Sequence, residues 1–281
     1  MTLLSRVFGL LRDIVIARLF GAGMGTDAFF VAFRIPNFFR RLFGEGAFAQ
    51  AFVPVLSEYK QQRDESEVHN LVDHTTATLA LILIGVTIIG VLAAPVVIYV
   101  FAPGFSDDNG RFDLAVDMLR LTFPYLLFIS LTAMAGAILN TYRQFAVPAF
   151  TPVLLNLALI GSAIWLAPYF EPAVQITALA WGVLIAGIVQ LLFQLPFLMR
   201  LRLMPRPFTG RDSDGVKRIF KLMLPTLFGV SVSQINVMID TLIASFLVSG
   251  SISWLYYSDR MMEFPLGVFG VALGTVILPR L

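Results

Sequence analysis

The chain has 281 residues, 58% of them hydrophobic and 14% charged, with a mean hydropathy of +0.82. An average soluble domain is about a quarter charged, so this composition excludes a soluble globular protein and points to an integral membrane protein. A formal net charge of +2 is too small an excess for a nucleic-acid binder, and zero cysteines exclude disulfides, thiolate zinc sites and cysteine nucleophiles.

The first predicted helix runs from about Leu3 to Phe20 and the second from about Asp27 to Leu56. The first is not a cleaved signal peptide, because Arg12 and Asp13 interrupt what would be its apolar core. Gly21–Gly25 reads as a tight hairpin connection. The second helix is too long for one straight span, and breaks are expected at Pro36 and around Gly44–Gly46, which makes Pro36, Gly44 and Gly46 candidate hinge positions. At about 100° per residue, Ser5, Arg6, Arg12 and Asp13 share one face of the first helix. Asp27, Arg34, Asn37, Arg41 and Glu45 share a face of the second, with Arg40 about a third of a turn away.

Arg or Asp at mid-membrane costs about 3 kcal/mol, so Arg12, Asp13, Arg34, Arg40, Arg41 and Glu45 exposed to lipid would cost on the order of 18 kcal/mol. These faces must line a wet or protein-filled interior. Buried ion pairs that only fix helix packing are the competing reading. Against it, residues 1–56 carry six Arg but only two Asp and one Glu. Mutual pairing leaves interior positive charge over, which calls for an anionic ligand.

A polar loop is expected over residues 57–70. The third helix, about Thr76–Phe101, is nearly uniform aliphatic and suits a lipid-facing position. The fourth runs about Phe112–Leu139 with a kink at Pro124, the fifth about Val147–Ala167 and the sixth about Ala173–Leu198. A basic segment with seven Lys/Arg follows, from Arg200 to Lys221. The seventh and eighth helices are about Ile219–Val248 and Ile252–Leu278. Ten Lys/Arg fall in the even-numbered loops against Arg111 alone in the odd-numbered ones, which puts the N-terminus and the basic segment in the cytoplasm.

The fold class is therefore all-α and membrane-spanning, with about eight transmembrane helices. A six-helix N-terminal lobe covers 1–200, a cytoplasmic basic linker 201–218, and 219–281 holds the first two helices of a second lobe. A weak repeat relates FGEGAFAQAFVPVL, ending the second helix, to GVFGVALGTVILPRL, ending the eighth. It suggests a second parallel copy and an N-terminal portion of a longer transporter. On the eighth helix Tyr256, Asp259, Arg260 and Glu263 share an arc of about 100°, which must face inward. On the seventh, Ser233, Asn236 and Asp240 share a face; Asp240 suits a sodium ion or proton relay, or equally an ion pair with an arginine elsewhere in the bundle.

At SRVFGLLRD, at GAGMGTDAFFVAFRIPNFFRRLFGEGAFAQAFVPVLSEY and at WLYYSDRMMEFPLGVFGVALGTVILP the chain resembles the MurJ (MviN) family of lipid II flippases. The resemblance implies a cationic central cavity, alternating access, no enzymatic activity and a bacterial cytoplasmic (inner) membrane location. It implies as partners the undecaprenyl-pyrophosphate-linked peptidoglycan precursor and membrane lipids. It places cavity residues at Ser5, Arg6, Arg12, Asp13, Asp27, Arg40 and Arg260, and a sodium-linked acid at Asp240; sodium is the sole cofactor candidate. Arg34, Arg41, Glu45 and Asp259 join this set from their helix faces. Arg12 and Arg260 are expected to grip the pyrophosphate from opposite lobes, with Asp13 orienting Arg12. A cation-coupled drug antiporter of the same superfamily and an intramembrane polyprenyl-phosphate enzyme are the alternatives.

Overall fold

In the computed structural model, which describes residues 2–41, 48–206 and 214–263, the chain is a bundle of helices, with no strand among the described residues. Eleven α-helices are α1 (Thr2–Phe20), α2 (Met24–Phe39), α3 (Ala49–Gln62), α4 (Glu65–Leu92), α5 (Ala94–Phe101), α6 (Asn109–Thr122), α7 (Tyr125–Thr141), α8 (Ala146–Gly161), α9 (Thr177–Arg200), α10 (Asp214–Ser245) and α11 (251–263). By chain position α2 and α3 belong to the second expected rod, α4 and α5 to the third and α6 and α7 to the fourth. Four stretches are long and apolar enough to cross a membrane by themselves: Glu65–Leu92, Gly110–Thr141, Ala146–Tyr169 and Thr177–Arg200. The charged helices α1, α2, α10 and α11 complete the bundle around what the apolar ones leave open.

Several boundaries differ from the sequence expectation. The expected break at Pro36 is not there, because α2 continues through it to Phe39. Proline has no N–H for the carbonyl four residues back, and the Thr122 hydroxyl of α6 takes that place by donating to Ala32 O at 2.9 Å. Gly44, Gly46 and Glu45 lie outside the described residues, as does the eighth helix beyond residue 263. The expected polar loop at 57–70 is helical except at its centre. Arg63 and Asp64 separate α3 from α4, and with no Gly or Pro between Ser57 and Asn70 the two helices simply run on past the apolar zone. The long third rod is divided at Ala93, with Pro95 in the first turn of α5. The fourth is divided at Pro124, as expected.

α9 packs on α7 and α8, α2 on α6, and α1 on α8. Gly90 lets Phe123 lie flat on α4, since a Cβ there would fall 2.1 Å from the ring. α10 meets the earlier helices at both of its ends. At one end a Cβ on Gly104 would lie 2.3 Å from Ser245 O, and the Gly104 N–H donates to Ser245 Oγ at 3.1 Å. At the other end Arg218 of α10 donates to Glu58 of α3 at 2.9 Å, and Gly215 sits against Tyr59 and Leu71.

Candidate functional site

Between α1, α2, α8, α10 and α11 lies a cavity in two connected compartments. One of about 470 Å³ is bordered by Ser5, Arg6, Arg12 and Asp13 of α1, Arg40 and Arg41, Asn156 of α8, and Arg260 and Glu263 of α11. The other, about 190 Å³, shares Arg12, Arg40, Arg41, Arg260 and Glu263 and adds Arg34, Asn37, Tyr256 and Asp259. Among the described residues, six guanidinium groups and three carboxylates line this space. Solvating such an excess inside a bundle requires water or an anion.

The arginines are not equivalent. Arg12, only 6% exposed, donates Nε and Nη2 to Asp13 Oδ1 at 2.9 and 2.6 Å, Nη2 to the Tyr256 hydroxyl at 2.8 Å and Nη1 to Asn156 Oδ1 at 3.1 Å. Four of its five N–H groups are engaged, so it holds α1, α8 and α11 together rather than presenting an open fork. Arg12, expected from the sequence to grip a pyrophosphate, is in this arrangement bonded to Asp13, Tyr256 and Asn156. Tyr256 also donates to Asp13 Oδ1 at 3.3 Å, and its ring stacks on Phe30 with centroids 3.9 Å apart. Arg260 is different. Its side chain is 38% exposed, it donates Nη1 to Glu263 at 2.8 Å, and its Nε lies 3.8 Å from Asp13 Oδ2. Arg34 donates to Thr241 Oγ1 at 2.6 Å and sits 3.9 Å from the half-exposed Asp259. Arg40 donates to Asn37 at 2.9 Å, and Arg41 reaches Gln234 at 3.4 Å. Ser5 accepts from Asn156 Nδ2 through its backbone carbonyl at 3.3 Å.

Asp27 stands apart from this wall. It is 0% exposed and fully engaged: Oδ2 accepts from Arg111 Nη2 at 2.9 Å and Gly250 N at 2.7 Å, Oδ1 from Ser253 N at 2.8 Å and Ser253 Oγ at 2.6 Å. Gly250 begins α11 at φ +98° and has no side chain to cap it. Asp27 supplies that cap from another helix, with its charge matched to the positive end of the helix dipole. Asp27 therefore joins the two lobes and does not line the cavity, contrary to its place on the predicted polar face. Asp240 is exposed on α10, near enough to act electrostatically on Arg34. No group of three or more His, Cys, Asp or Glu placed to hold a metal ion occurs among the described residues.

Sequence reasoning did not assign Asn156, Thr241, Ser253 or Arg111 to any site. Asn156 carried a signal, as a lone amide in the apolar run Val153–Ile160. Arg111 carried one too, as the single basic residue of the odd-numbered loops.

Residues 16–281 match the family profile described as "Lipid II flippase MurJ". The chain is 53% identical over its whole length to a "Probable lipid II flippase MurJ" of Vibrio cholerae and covers 54% of that protein. It is 49% identical to a "Lipid II flippase MurJ" of Burkholderia cenocepacia, again over the whole chain and 55% of the relative. It superposes on a solved "Lipid II flippase MurJ, inward closed conformation" with a TM-score of 0.84 at 31% identity, over 99% of this chain and 56% of the other. The chain thus spans about half the length of the relatives it matches. Neither the antiporter nor the enzyme reading gains support. With a profile match from residue 16 to the last residue and an arginine-lined space between its helices, this multi-pass membrane chain belongs to the MurJ family.

Proposed function

We propose that the chain forms the N-terminal part of a carrier that moves a diphosphate-linked lipid precursor of peptidoglycan from the inner to the outer leaflet of the bacterial cytoplasmic membrane. One observation carries the reading: arginines of α1, α2 and α11, six of them among the described residues, converge on a single interior cavity. Guanidinium forks match phosphate oxygens bidentately, and water exclusion strengthens the attraction. Arg260, half exposed at the cavity edge, is the arginine best placed to leave Glu263 and Asp13 for a ligand. Arg6, Arg40 and Arg41 face it across the larger compartment.

The loop-charge asymmetry supports a cytoplasmic N-terminus, and on that reading the Asp27 cluster closes the outer side. Outward opening then requires Asp27 to release the start of α11, and the Arg12–Asp13–Tyr256 junction to slide or part. A bound diphosphate favours that change to the extent that it competes with Asp13 and Glu263 for Arg260, since a ligand shifts an equilibrium only by its difference in affinity for the two states. An anion leaving an inside-negative cell gains about 2.3 kcal/mol per charge per 100 mV, enough to drive export without nucleotide hydrolysis. Sodium held near Asp240 is the candidate for coupling, its charge balancing a carboxylate beside Arg34.

The test is Arg260→Ala in the full-length polypeptide, scored for precursor reaching the outer leaflet. A severe loss at normal expression supports the reading; wild-type transport removes Arg260 from it.

A further inference from the structure

Asp13 uses its two carboxylate oxygens unequally. Oδ1 accepts from Arg12 Nε at 2.9 Å, from Arg12 Nη2 at 2.6 Å and from the Tyr256 hydroxyl at 3.3 Å. Oδ2 accepts no hydrogen bond among the described residues, and Arg260 faces it with Nε at 3.8 Å. An arginine that meets a carboxylate with two N–H groups commonly gives one to each oxygen, in a two-pronged pair. Here both prongs fall on one oxygen, and the other oxygen is left to a second arginine.

The cause lies on α8. Arg12 Nη1 donates to Asn156 Oδ1 at 3.1 Å, and Asn156 Nδ2 donates to the Ser5 carbonyl at 3.3 Å. A guanidinium only donates and a carbonyl only accepts, so a single orientation of the amide satisfies both partners. Both Arg12 and Asn156 are buried, each 6% exposed. Nη1 is thus tied to α8, while Nη2 is shared with the Tyr256 hydroxyl at 2.8 Å. A planar group fastened at both ends cannot turn its fork squarely onto Asp13.

We infer that Asn156 is a positioning residue for the arginine cavity: it holds Arg12 on a single oxygen of Asp13, and so keeps Oδ2 open as an internal acceptor for Arg260. The inference rests on the proposed function and deepens it. A diphosphate that takes Arg260 has to compete with Glu263 and with Asp13 Oδ2. Without Asn156, Arg12 pairs with both oxygens of Asp13, and only Glu263 remains as a competitor. A carrier must release what it binds. An acceptor waiting beside Arg260 draws the guanidinium back to the protein as the ligand leaves. The amide on α8 thereby sets how tightly the cavity holds its anion, although it acts only through Arg12 and Asp13.

The experiment titrates undecaprenyl diphosphate onto the full-length protein in lipid nanodiscs. Wild type is compared with Asn156→Leu, each with and without Arg260→Gln, at equal folded fraction. Asn156→Leu is expected to bind the lipid about fivefold more tightly, the worth of one partly exposed ion pair removed from the competition. The gain is expected to vanish when residue 260 is glutamine. A merely structural role for Asn156 predicts unchanged or weaker binding, and either result overturns the inference. A gain that survives Arg260→Gln also overturns it, because the added affinity would then come from Arg12 set free. Asn156→Ala removes the same acceptor with less apolar bulk and covers the case in which the leucine variant does not fold. Failure of the wild-type protein to bind undecaprenyl diphosphate at all would instead overturn the proposed function.

Discussion

Two Asp–Arg clusters join the first lobe to α11, and they are built to opposite ends. Asp27 is fully buried and receives four hydrogen bonds, from Arg111, Gly250 and the Ser253 backbone and hydroxyl. Around Asp13 the balance is reversed, with six arginines lining a space that holds three acids. A satisfied buried carboxylate is a fastening, since any ligand would have to replace bonds already in place. An arginine-lined cavity suits the anion of the proposed function, since guanidinium groups gain by meeting phosphate oxygens. Similar residue types on similar helix faces thus do different work according to whether their bonding capacity is filled.

The largest expected effect breaks the first cluster. Asp27→Ala leaves Arg111 buried without its carboxylate and α11 uncapped. It should cost about 3–5 kcal/mol, the usual penalty for removing one member of a buried pair, read as a lowered thermal unfolding midpoint in detergent. It should also raise the labelling of a cysteine introduced at Ser251 by a water-soluble thiol reagent. Unchanged stability would mean that the Asp27 bonds do not hold the lobes together.

That contrast explains what the sequence discloses and what it does not. Arg12, Arg34, Arg40 and Arg260 stand out because an arginine in an apolar helix has no cheap place except an interior, and the structure brings them to one cavity. Helix periodicity gives the direction in which a residue points but not what it meets there. Asp27 lies on the same face as Arg34 yet stops two turns short of the cavity, at the height of the Gly250 turn. Asn156 and Thr241, the partners of Arg12 and Arg34, come from helices 144 and 207 residues away in the chain, a pairing no local pattern carries. Pro36 misled for a related reason: the helix survives because Thr122 of another helix repairs it.

A smaller effect probes the seam between the clusters. Tyr256→Phe keeps the stacking on Phe30 but removes the hydroxyl that accepts from Arg12 and donates to Asp13. It should destabilise the protein by about 1.5 kcal/mol, since the lost bonds go to charged groups, again measured by thermal unfolding. A neutral outcome would mean that Arg12 and Asp13 hold the junction unaided.

The smallest effect concerns the Glu58–Arg218 contact between α3 and α10. The hydrogen bond from Arg218 holds the Glu58 carboxyl below the usual carboxylate range. A depressed folded pKa stabilises the folded state at pH values above the ordinary value of about 4.3 and ceases to do so as pH falls through the depressed one. Wild type should therefore melt slightly above Glu58→Gln at pH 7, and the two curves should converge in acid. Because both side chains are solvent-exposed, added salt should shrink the difference at neutral pH.

The arginine-lined half of the comparison is tested most directly by titrating undecaprenyl diphosphate onto the full-length protein in nanodiscs, wild type against Arg260→Gln. The arrangement predicts affinity at least about tenfold weaker in the variant, the loss of one charge-assisted contact, compared at equal folded fraction. Equal affinity in the two proteins would contradict a cationic cavity that receives a diphosphate.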